Sequence, residues 1–180
     1  FTEKLLEDIA VITKKKNCVI FTSKFWSKSY KVKKLKSKIN VINFIDNISP
    51  NPSLEDVIKI KIDFKNIDYV ISLGGGSVID FTKAALAFFG VNKNKDHFKK
   101  TLYTNQIFSS LTLPKIIAIP TTSGTGSELN SWGTVWDNKN KHSVSGEKLL
   151  PTYVMLDTSL CISMPKSLTI SSALDALSHA

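Results

Sequence analysis

Two short polar turns carry residue types that bind phosphate groups in proteins. The first, GGGS at 74–77, stands between the apolar run IDYVISL and a helical pattern. Glycines let backbone amides approach a pyrophosphate, and a helix N-terminus adds unpaired N–H groups and a favourable dipole. We therefore expect Gly75, Gly76 and Ser77 to hold phosphates. The alternative is a tight strand-to-helix turn that needs positive φ and binds no ligand.

The second turn, TTSGTGS at 121–127, follows the apolar run KIIAIP and is rich in hydroxyl groups. If the two preceding strands are neighbours, both turns face the crevice at the carboxyl ends of the strands, where open α/β sheets bind nucleotides. The alternative is a surface loop without a ligand. The first turn is neither G-x-G-x-x-G nor a P-loop, since Lys83 lies too far along the helix.

Asp175 and His179 lie four residues apart in the last helical pattern, and hence on one face of a helix. Carboxylate oxygen and imidazole suit Fe(II) or Zn(II), but a catalytic metal needs at least three protein ligands. The remaining ligands must then come from outside this chain. An ordinary pair on a helix surface is the alternative. We interpret His97 and His142 as ordinary exposed histidines and both cysteines, Cys18 and Cys161, as buried free thiols.

An alternation of strands and helices must position these residues. β-Branched runs predict strands and periodic apolar spacing predicts helices, which together indicate a Rossmann-like parallel sheet with flanking helices. The predicted strands are 17–23, 39–45, 67–73 and 115–120, and the predicted helices are 25–38, 53–65 and 77–90, the second capped by Ser53. A loop with one short helix is expected at 92–112, then a β-hairpin around DNKNK, a short strand in PTYVMLD and a final helix from Pro165.

Composition limits the class of protein. The chain has 180 residues, 42% of them hydrophobic, and a formal charge of +9. The charge invites a nucleic-acid interpretation, but every basic residue is lysine and the densest run, KVKKLKSKI, has helical spacing with its lysines on solvated faces. No apolar run is long enough to span a bilayer, and the first residues lack the layout of a secretory signal. We therefore expect a soluble cytoplasmic protein without nucleic-acid or membrane partners.

Four motifs together resemble the iron-dependent (group III) alcohol dehydrogenases, and the resemblance covers nearly the whole chain. They are GGGSVID at 74–80, IPTTSGTGSE at 119–128, LPTYVMLD at 150–157 and DALSHA at 175–180. The resemblance implies a Rossmann-like domain over residues 1–163, followed at 164–180 by the first helix of an all-α metal-binding domain that is mostly absent. Because the chain ends inside this helix, we expect a fragment or a truncated protein that is inactive alone.

The resemblance also implies roles for individual residues. Gly75, Gly76 and Ser77 resemble a pyrophosphate cradle, and Asp80 is similar to an aspartate toward the nicotinamide side. Thr121 and Thr122 are implied to contact the nucleotide, Lys141 to reach the cofactor ribose, and Asp175 and His179 to be the first two metal ligands; no catalytic residue is assigned.

The residues after the first strand and in the hairpin bear on cofactor and substrate preference. The aspartate usual after the first strand in NAD-preferring members is replaced by Phe21-Thr22-Ser23-Lys24, which favours NADP unless Asp46 substitutes for it. The implied activity is hydride transfer between NAD(P) and a small primary alcohol or aldehyde, in a homo-oligomer. The segment SWGTVWDNKNKHSVS resembles the hydroxyethylphosphonate and phosphonoacetaldehyde oxidoreductase branch, so a phosphonate-bearing substrate is an alternative. Others are a glycerol dehydrogenase or dehydroquinate synthase relative, and a non-catalytic nucleotide-binding module.

Overall fold

The structure is a computed structural model that describes residues 2–109 and 112–179, with the backbone alone at residue 179. Its described part contains seven strands: β1 (Cys18–Thr22), β2 (Val41–Ile45), β3 (Tyr69–Gly74), β4 (Lys115–Pro120), β5 (Trp132–Asp137), β6 (Asn140–Ser145) and β7 (Tyr153–Val154). The same residues form seven α-helices: α1 (Glu3–Ile12), α2 (Lys24–Ser27), α3 (Tyr30–Lys38), α4 (Leu54–Ile58), α5 (Gly76–Gly90), α6 (Lys95–Tyr103) and α7 (Lys166–His179).

Five of the strands form one parallel sheet in the order β2-β1-β3-β4-β7. Every residue of β1 and β3 is buried, as expected for parallel strands that are covered by helices on both faces. The strands β5 and β6 pair separately as an antiparallel hairpin. The predicted α/β class, its parallel sheet and its hairpin are therefore confirmed. The four predicted strands all occur, each within two residues of its expected start.

Alternate residues along the central strands enter two different hydrophobic cores. Val19 and Phe21 of β1 join the cluster that includes α5, whereas Cys18 and Ile20 join the cluster that includes α1 and α3. Because successive side chains of a strand point to opposite faces, the two clusters are the two layers that cover the sheet. The carboxyl ends of the strands are left free to present turns at one edge.

Polar residues begin most of the helices by accepting a hydrogen bond from a first-turn backbone amide. The side chain of Ser53 accepts from the Asp56 N–H at 3.1 Å, which confirms the predicted cap of α4. Ser29 and Asn94 cap α3 and α6 in the same way. The basic helix α3 buries Val32 and Leu35, as its spacing predicts.

Two predicted helices are shorter in the structure. The helix predicted at 25–38 is interrupted at Lys28–Ser29, because Ser29 caps the new helix α3. The helix predicted at 53–65 ends at Ile58. Beyond it, Ile62 and Phe64 are buried while their neighbours are exposed, which is the two-residue periodicity of extended chain. The alternation of apolar and polar residues in IKIKIDF, at 58–64, is typical of extended chain.

The remaining segments follow the sequence expectation. The segment 92–112 contains the short helix α6, and its residues 110 and 111 lie outside the described residues. The hairpin turns at Asn138 and Lys139, with φ of 53° at Asn138, a conformation that asparagine tolerates. Among the residues that the structure describes, no helix is long and apolar enough to cross a membrane.

Candidate functional site

The glycine turn connects the end of β3 directly to the start of α5. Gly75 caps the helix with an extended backbone, φ −74°, and positive φ occurs at neither Gly75 nor Gly76. The alternative interpretation, a turn that needs glycine for its φ angle, is therefore wrong. The first amides of α5 have no acceptor within the helix, so this end is a favourable place for an anion.

The two glycines are explained by the lack of space for a side chain and not by their backbone angles. A Cβ atom on Gly75 would lie 3.1 Å from Oγ1 of Thr122, and one on Gly76 would lie 2.6 Å from Oγ1 of Thr125. Both threonines belong to the second polar turn, which follows β4. The glycines thus allow the two turns to approach each other at adjacent strands, as the neighbouring positions of β3 and β4 require.

The second turn is held in place by contacts from three directions. Its first amide, Thr121 N–H, donates to the Gly74 carbonyl at 3.0 Å, and the Trp26 ring N–H donates to the Thr121 hydroxyl at 3.1 Å. Gly124 has a φ of +136°, and a Cβ atom there would lie 2.1 Å from the Ser172 carbonyl oxygen of α7. This glycine therefore allows α7 to lie directly against the turn.

Lys83 anchors the end of the second turn from inside the protein. Its side chain is fully buried, and Nζ lies 2.6 Å from the Ser127 carbonyl, 2.6 Å from the Trp132 carbonyl and 2.8 Å from both the carbonyl and Oδ1 of Asn130. Burial lowers the pKa of Lys83 to about 8. The amine is therefore protonated at pH 7 and donates three N–H groups to these acceptors.

The two turns open onto a cleft of about 640 Å³. The cleft is lined by Ser23, Phe25, Trp26, Ile48, Ser49, Pro50, Gly75, Gly76, Ser77, Val78, Thr121, Thr122, Thr125, Leu160, Ser163, Met164, Pro165, Leu168, Ser171, Ser172 and Asp175. Five of the seven predicted cofactor-binding residues and one of the two predicted metal ligands thus surround a single space. This volume falls in the range of small-molecule and cofactor sites.

Asp80 and Lys141, the other two predicted cofactor-binding residues, are not among the residues that line the cleft. Asp80 lies on α5 and is 8% exposed; its Oδ2 accepts from the Thr134 backbone N–H at 2.9 Å, and its Oδ1 has no hydrogen-bond partner among the described residues. Lys141 is exposed on β6, opposite Trp136 of β5. The structure brings these two residues near each other but not into the wall of the cleft.

The Asp80 carboxyl lies in an environment that opposes its ionisation. Burial raises its pKa, and the Thr134 N–H and the positive charge of Lys83 partly offset this effect. The Ser127 hydroxyl and the charge of Lys141 act in the same direction as these two. A buried carboxyl group whose pKa is shifted by burial and by specific charged partners is a candidate functional group.

Helix α7 carries both predicted metal ligands. Asp175 lines the cleft and is partly buried, whereas the side chain of His179 lies outside the described residues. Among the residues described, no group of three or more His, Cys, Asp or Glu side chains is arranged to hold a metal. The described residues thus offer an oxygen ligand for part of a site, which fits a metal only if further ligands complete it.

The other candidate residues have simple environments. His97 is exposed, as predicted, but His142 is half-buried because its ring lies 4.9 Å from the ring of Tyr103. Cys18 is a buried free thiol, as predicted, whereas Cys161 is only half-buried. Sequence reasoning missed the aromatic pair Phe25 and Trp26 in the cleft, although its position directly after β1 marked it as part of the carboxyl edge.

A smaller basic depression of about 510 Å³ begins at Lys24, the residue after Ser23 of the cleft wall. It is lined by Lys24, Ser27, Lys28, Lys33, Asp46 and Asn47. Three lysines and one aspartate give it a positive balance of charge.

Comparison with known proteins identifies the family. A sequence profile of iron-containing alcohol dehydrogenases matches residues 1–158. The chain belongs to the iron-containing alcohol dehydrogenase family. The fold is therefore that of the Rossmann-like N-terminal part of this family, as the sequence motifs indicate.

Individual relatives agree with this assignment. The chain is 33% identical over 150 residues to an NADPH-dependent butanol dehydrogenase of Clostridium saccharobutylicum, a match that covers 77% of this chain and 36% of that protein. It is 37% identical over 120 residues to an NAD-dependent methanol dehydrogenase of Bacillus methanolicus, covering 64% and 30%. The chain thus spans about a third of the length of these curated relatives.

Solved structures give the same result in three dimensions. The sulfoacetaldehyde reductase of Bifidobacterium kashiwanohense in complex with NAD⁺ matches with a TM-score of 0.81 and 27% identity, over 99% of this chain and 48% of that one. A crystal structure of an iron-containing alcohol dehydrogenase matches with a TM-score of 0.78 and 31% identity, over 98% and 50%. The chain therefore corresponds to about half of each of these structures.

Proposed function

We propose that this chain forms the dinucleotide-binding part of a metal-dependent alcohol dehydrogenase that transfers hydride between NAD(P) and a small primary alcohol or aldehyde. The observation that carries the proposal is the approach of the two polar turns across Gly75 and Gly76, in a cleft that Asp175 also lines. An anion-binding helix end, a hydroxyl-rich turn and a metal-type ligand then border one space.

The glycine turn binds the pyrophosphate in this proposal. Gly75 and Gly76 have no side chains between the backbone and a ligand, and Ser77 adds a hydroxyl at the helix N-terminus. Thr121 and Thr122 contact the nucleotide from the facing turn. Asp80 and Lys141 act at the rim near the hairpin, with Asp80 toward the nicotinamide and the flexible Lys141 reaching the ribose.

Asp175 and His179 supply two ligands to a catalytic Fe(II) or Zn(II) ion, and the remaining ligands come from residues outside this chain. When bound, the metal supplies Lewis-acid stabilisation of the substrate oxygen. The contribution of the chain itself is to hold cofactor and metal ligands at one cleft, which favours a productive orientation of the reactants. Residues 1–163 form the nucleotide domain and α7 begins the metal-binding domain of a homo-oligomeric enzyme in this proposal.

The basic depression supports a preference for NADP over NAD. Lys24, Lys28 and Lys33 line this depression, where they would attract a 2′-phosphate. Ser23, the residue before Lys24, carries no carboxylate to repel that phosphate. Asp46 in the same depression is the competing influence. We expect tighter binding of NADPH than of NADH, and a strong preference for NADH would contradict this part of the proposal.

A second candidate substrate is a short aldehyde that carries an anionic group, such as a phosphonate. The similarity to a sulfoacetaldehyde reductase and the excess of lysine favour it. Steady-state reduction of butyraldehyde, phosphonoacetaldehyde and sulfoacetaldehyde by the full protein would separate the two substrate classes. A higher kcat/KM for the two anionic aldehydes would support the second candidate.

Cofactor titration of the Gly75→Val variant tests the cleft. A valine side chain would collide with Thr122 and crowd the pyrophosphate, so we expect a dissociation constant for NADPH at least about tenfold higher, a loss of about 1.4 kcal/mol. Ser37→Val, on an exposed face of α3, introduces the same side chain away from the cleft and serves as the control. Unchanged affinity in a folded Gly75→Val protein would refute the cradle assignment.

Metal analysis of the His179→Ala variant tests the second half of the site. We expect lower iron or zinc content together with lower turnover, whereas the exposed histidine variant His97→Ala should keep both. Normal metal content in His179→Ala would exclude His179 as a ligand. Nucleotide binding without metal or turnover in the full protein would instead favour a non-catalytic nucleotide-binding module.

A further inference from the structure

An aromatic pair forms part of the cleft wall directly after β1. Phe25 and Trp26 lie in the short helix α2, with their rings in an edge-to-face arrangement at 5.3 Å and 88°. Trp26 is only 9% exposed and is fixed by its ring N–H, which donates to the Thr121 hydroxyl. Phe25 is 69% exposed although it is apolar. The pair therefore combines a buried, hydrogen-bonded inner ring with a largely exposed outer ring that lines the cleft.

The position of Phe25 in the sheet relates it to one end of the cleft. It follows β1, which lies beside β3 and its glycine turn, whereas α7 lies with Ser172 against the turn of β4 on the other side of β3. Asp175 of α7 lines the same cleft. A dinucleotide whose pyrophosphate rests on the glycine turn, and whose reactive ring points toward Asp175, extends its other end toward β1. That other end carries a planar adenine base.

The surroundings of Phe25 suit an aromatic base next to a sugar that carries a phosphate group. Ile48 and Pro50 add apolar surface to the same cleft, and the lysine-lined depression begins at Lys24, the residue that precedes Phe25. Exposed aromatic rings bind nucleobases by stacking, because every base offers a π-face. The arrangement thus provides an apolar platform with cationic groups at its edge.

We propose that Phe25 is the stacking platform for the adenine base of the bound dinucleotide, and that Trp26 holds this platform in orientation. The proposal rests on the proposed function of the cleft as a dinucleotide site. It adds a base-binding subsite formed by α2, and it explains an exposed phenylalanine at the mouth of a polar cleft. The bond from Trp26 to Thr121 also connects this subsite to the second turn, so that one helix positions both.

Binding of dinucleotide fragments to Phe25 variants of the full protein tests the proposal. We expect Phe25→Ala to weaken binding of ADP and of NADPH by about 5- to 150-fold, the range found when a stacked aromatic ring is removed. Binding of nicotinamide mononucleotide, which has no adenine, should stay the same. Phe25→Tyr keeps the ring and should keep the affinity for ADP. Because Phe25 is largely exposed, its replacement should leave the fold intact, which circular dichroism checks.

Tyr30→Ala is the matched control, since Tyr30 is an equally exposed aromatic residue on α3 outside the cleft wall. It should bind ADP like the unmodified protein. Equal ADP affinity in Phe25→Ala and the unmodified protein, or equal losses for ADP and nicotinamide mononucleotide, would overturn the base-stacking proposal alone. If the unmodified protein binds neither ADP nor NADPH, the proposed function itself fails.

Discussion

Replacement of Lys83 by methionine should destabilise the protein strongly. Methionine fills the same buried space but has no N–H group to donate, so the carbonyls of Ser127, Asn130 and Trp132 lose their shared donor. Each buried acceptor left unpaired costs about 1–3 kcal/mol. The cost of burying an ammonium ion disappears at the same time and offsets part of this loss. We therefore expect a net decrease in the free energy of unfolding of about 2–4 kcal/mol.

Urea denaturation at pH 7 measures this decrease. Tryptophan fluorescence is a suitable signal because Trp132 lies at the end of the segment that Lys83 holds, and far-UV circular dichroism provides a second probe. Lys100→Met, at an exposed position on α6, is the matched control and should change the free energy of unfolding by less than about 0.5 kcal/mol. The variant should also bind NADPH more weakly, because the second turn is no longer fixed beside the glycine turn.

A loss of stability below about 1 kcal/mol in Lys83→Met would refute this reasoning. It would mean that the acceptors find other donors, or that the buried ion contributes no net stability, as is known for some buried ion pairs. A destabilised variant with full nucleotide affinity would refute only the second part, namely that Lys83 positions the turn for binding.

Lys83, Asp80 and Gly124 around the same turn can each be tested in the same way. Burial lowers the pKa of Lys83 from 10.5 to about 8, so the unfolded chain binds more protons than the folded protein between these pH values. The free energy of unfolding should therefore rise with pH in this range, by up to about 1.4 kcal/mol per pH unit. Urea titrations from pH 7.5 to 10 should show this rise in the unmodified protein and not in Lys83→Met. Asp80 has a raised pKa, so ionisation of its carboxyl group destabilises the fold as pH increases. Asp80→Asn should therefore unfold at a higher urea concentration at pH 7. The same variant should bind NADPH more weakly, because the proposed function places Asp80 toward the nicotinamide. In Gly124→Ala, the free energy of unfolding in the same assay should fall by about 1–3 kcal/mol, because φ at Gly124 is positive and the Ser172 carbonyl blocks the added Cβ. An unchanged urea midpoint would contradict the contact with α7.

Local patterns were sufficient to predict the strands and the two turns. Apolar β-branched runs predicted β1 to β4, and the glycine and hydroxyl runs that follow β3 and β4 predicted where polar groups would meet. These features depend on residues adjacent in sequence. The exception, the segment 59–65, was also local, since its alternating Ile and Lys residues indicate extended chain.

The contacts that assemble the cleft cannot be predicted from local sequence patterns. Glycine is needed at position 76 because Thr125 leaves no room for a Cβ atom. Lys83 is buried because it reaches backbone carbonyls more than forty residues away. A lysine inside an otherwise apolar helix is expected to be exposed, and only the tertiary structure shows the acceptors that keep it inside. The same holds for Asp80, whose partner is a backbone amide of the hairpin.

These long-range polar contacts also distinguish two kinds of residue in and around the cleft. Trp26, Lys83 and Asp80 each use a buried polar atom to join two distant elements, and such contacts are costly to break in a low-dielectric interior. Their replacement should therefore change stability and binding together. Phe25 lines the cleft without a buried polar contact of this kind, so its replacement should change binding alone. Measurement of both quantities for each variant therefore tests which residues build the site and which contact the ligand.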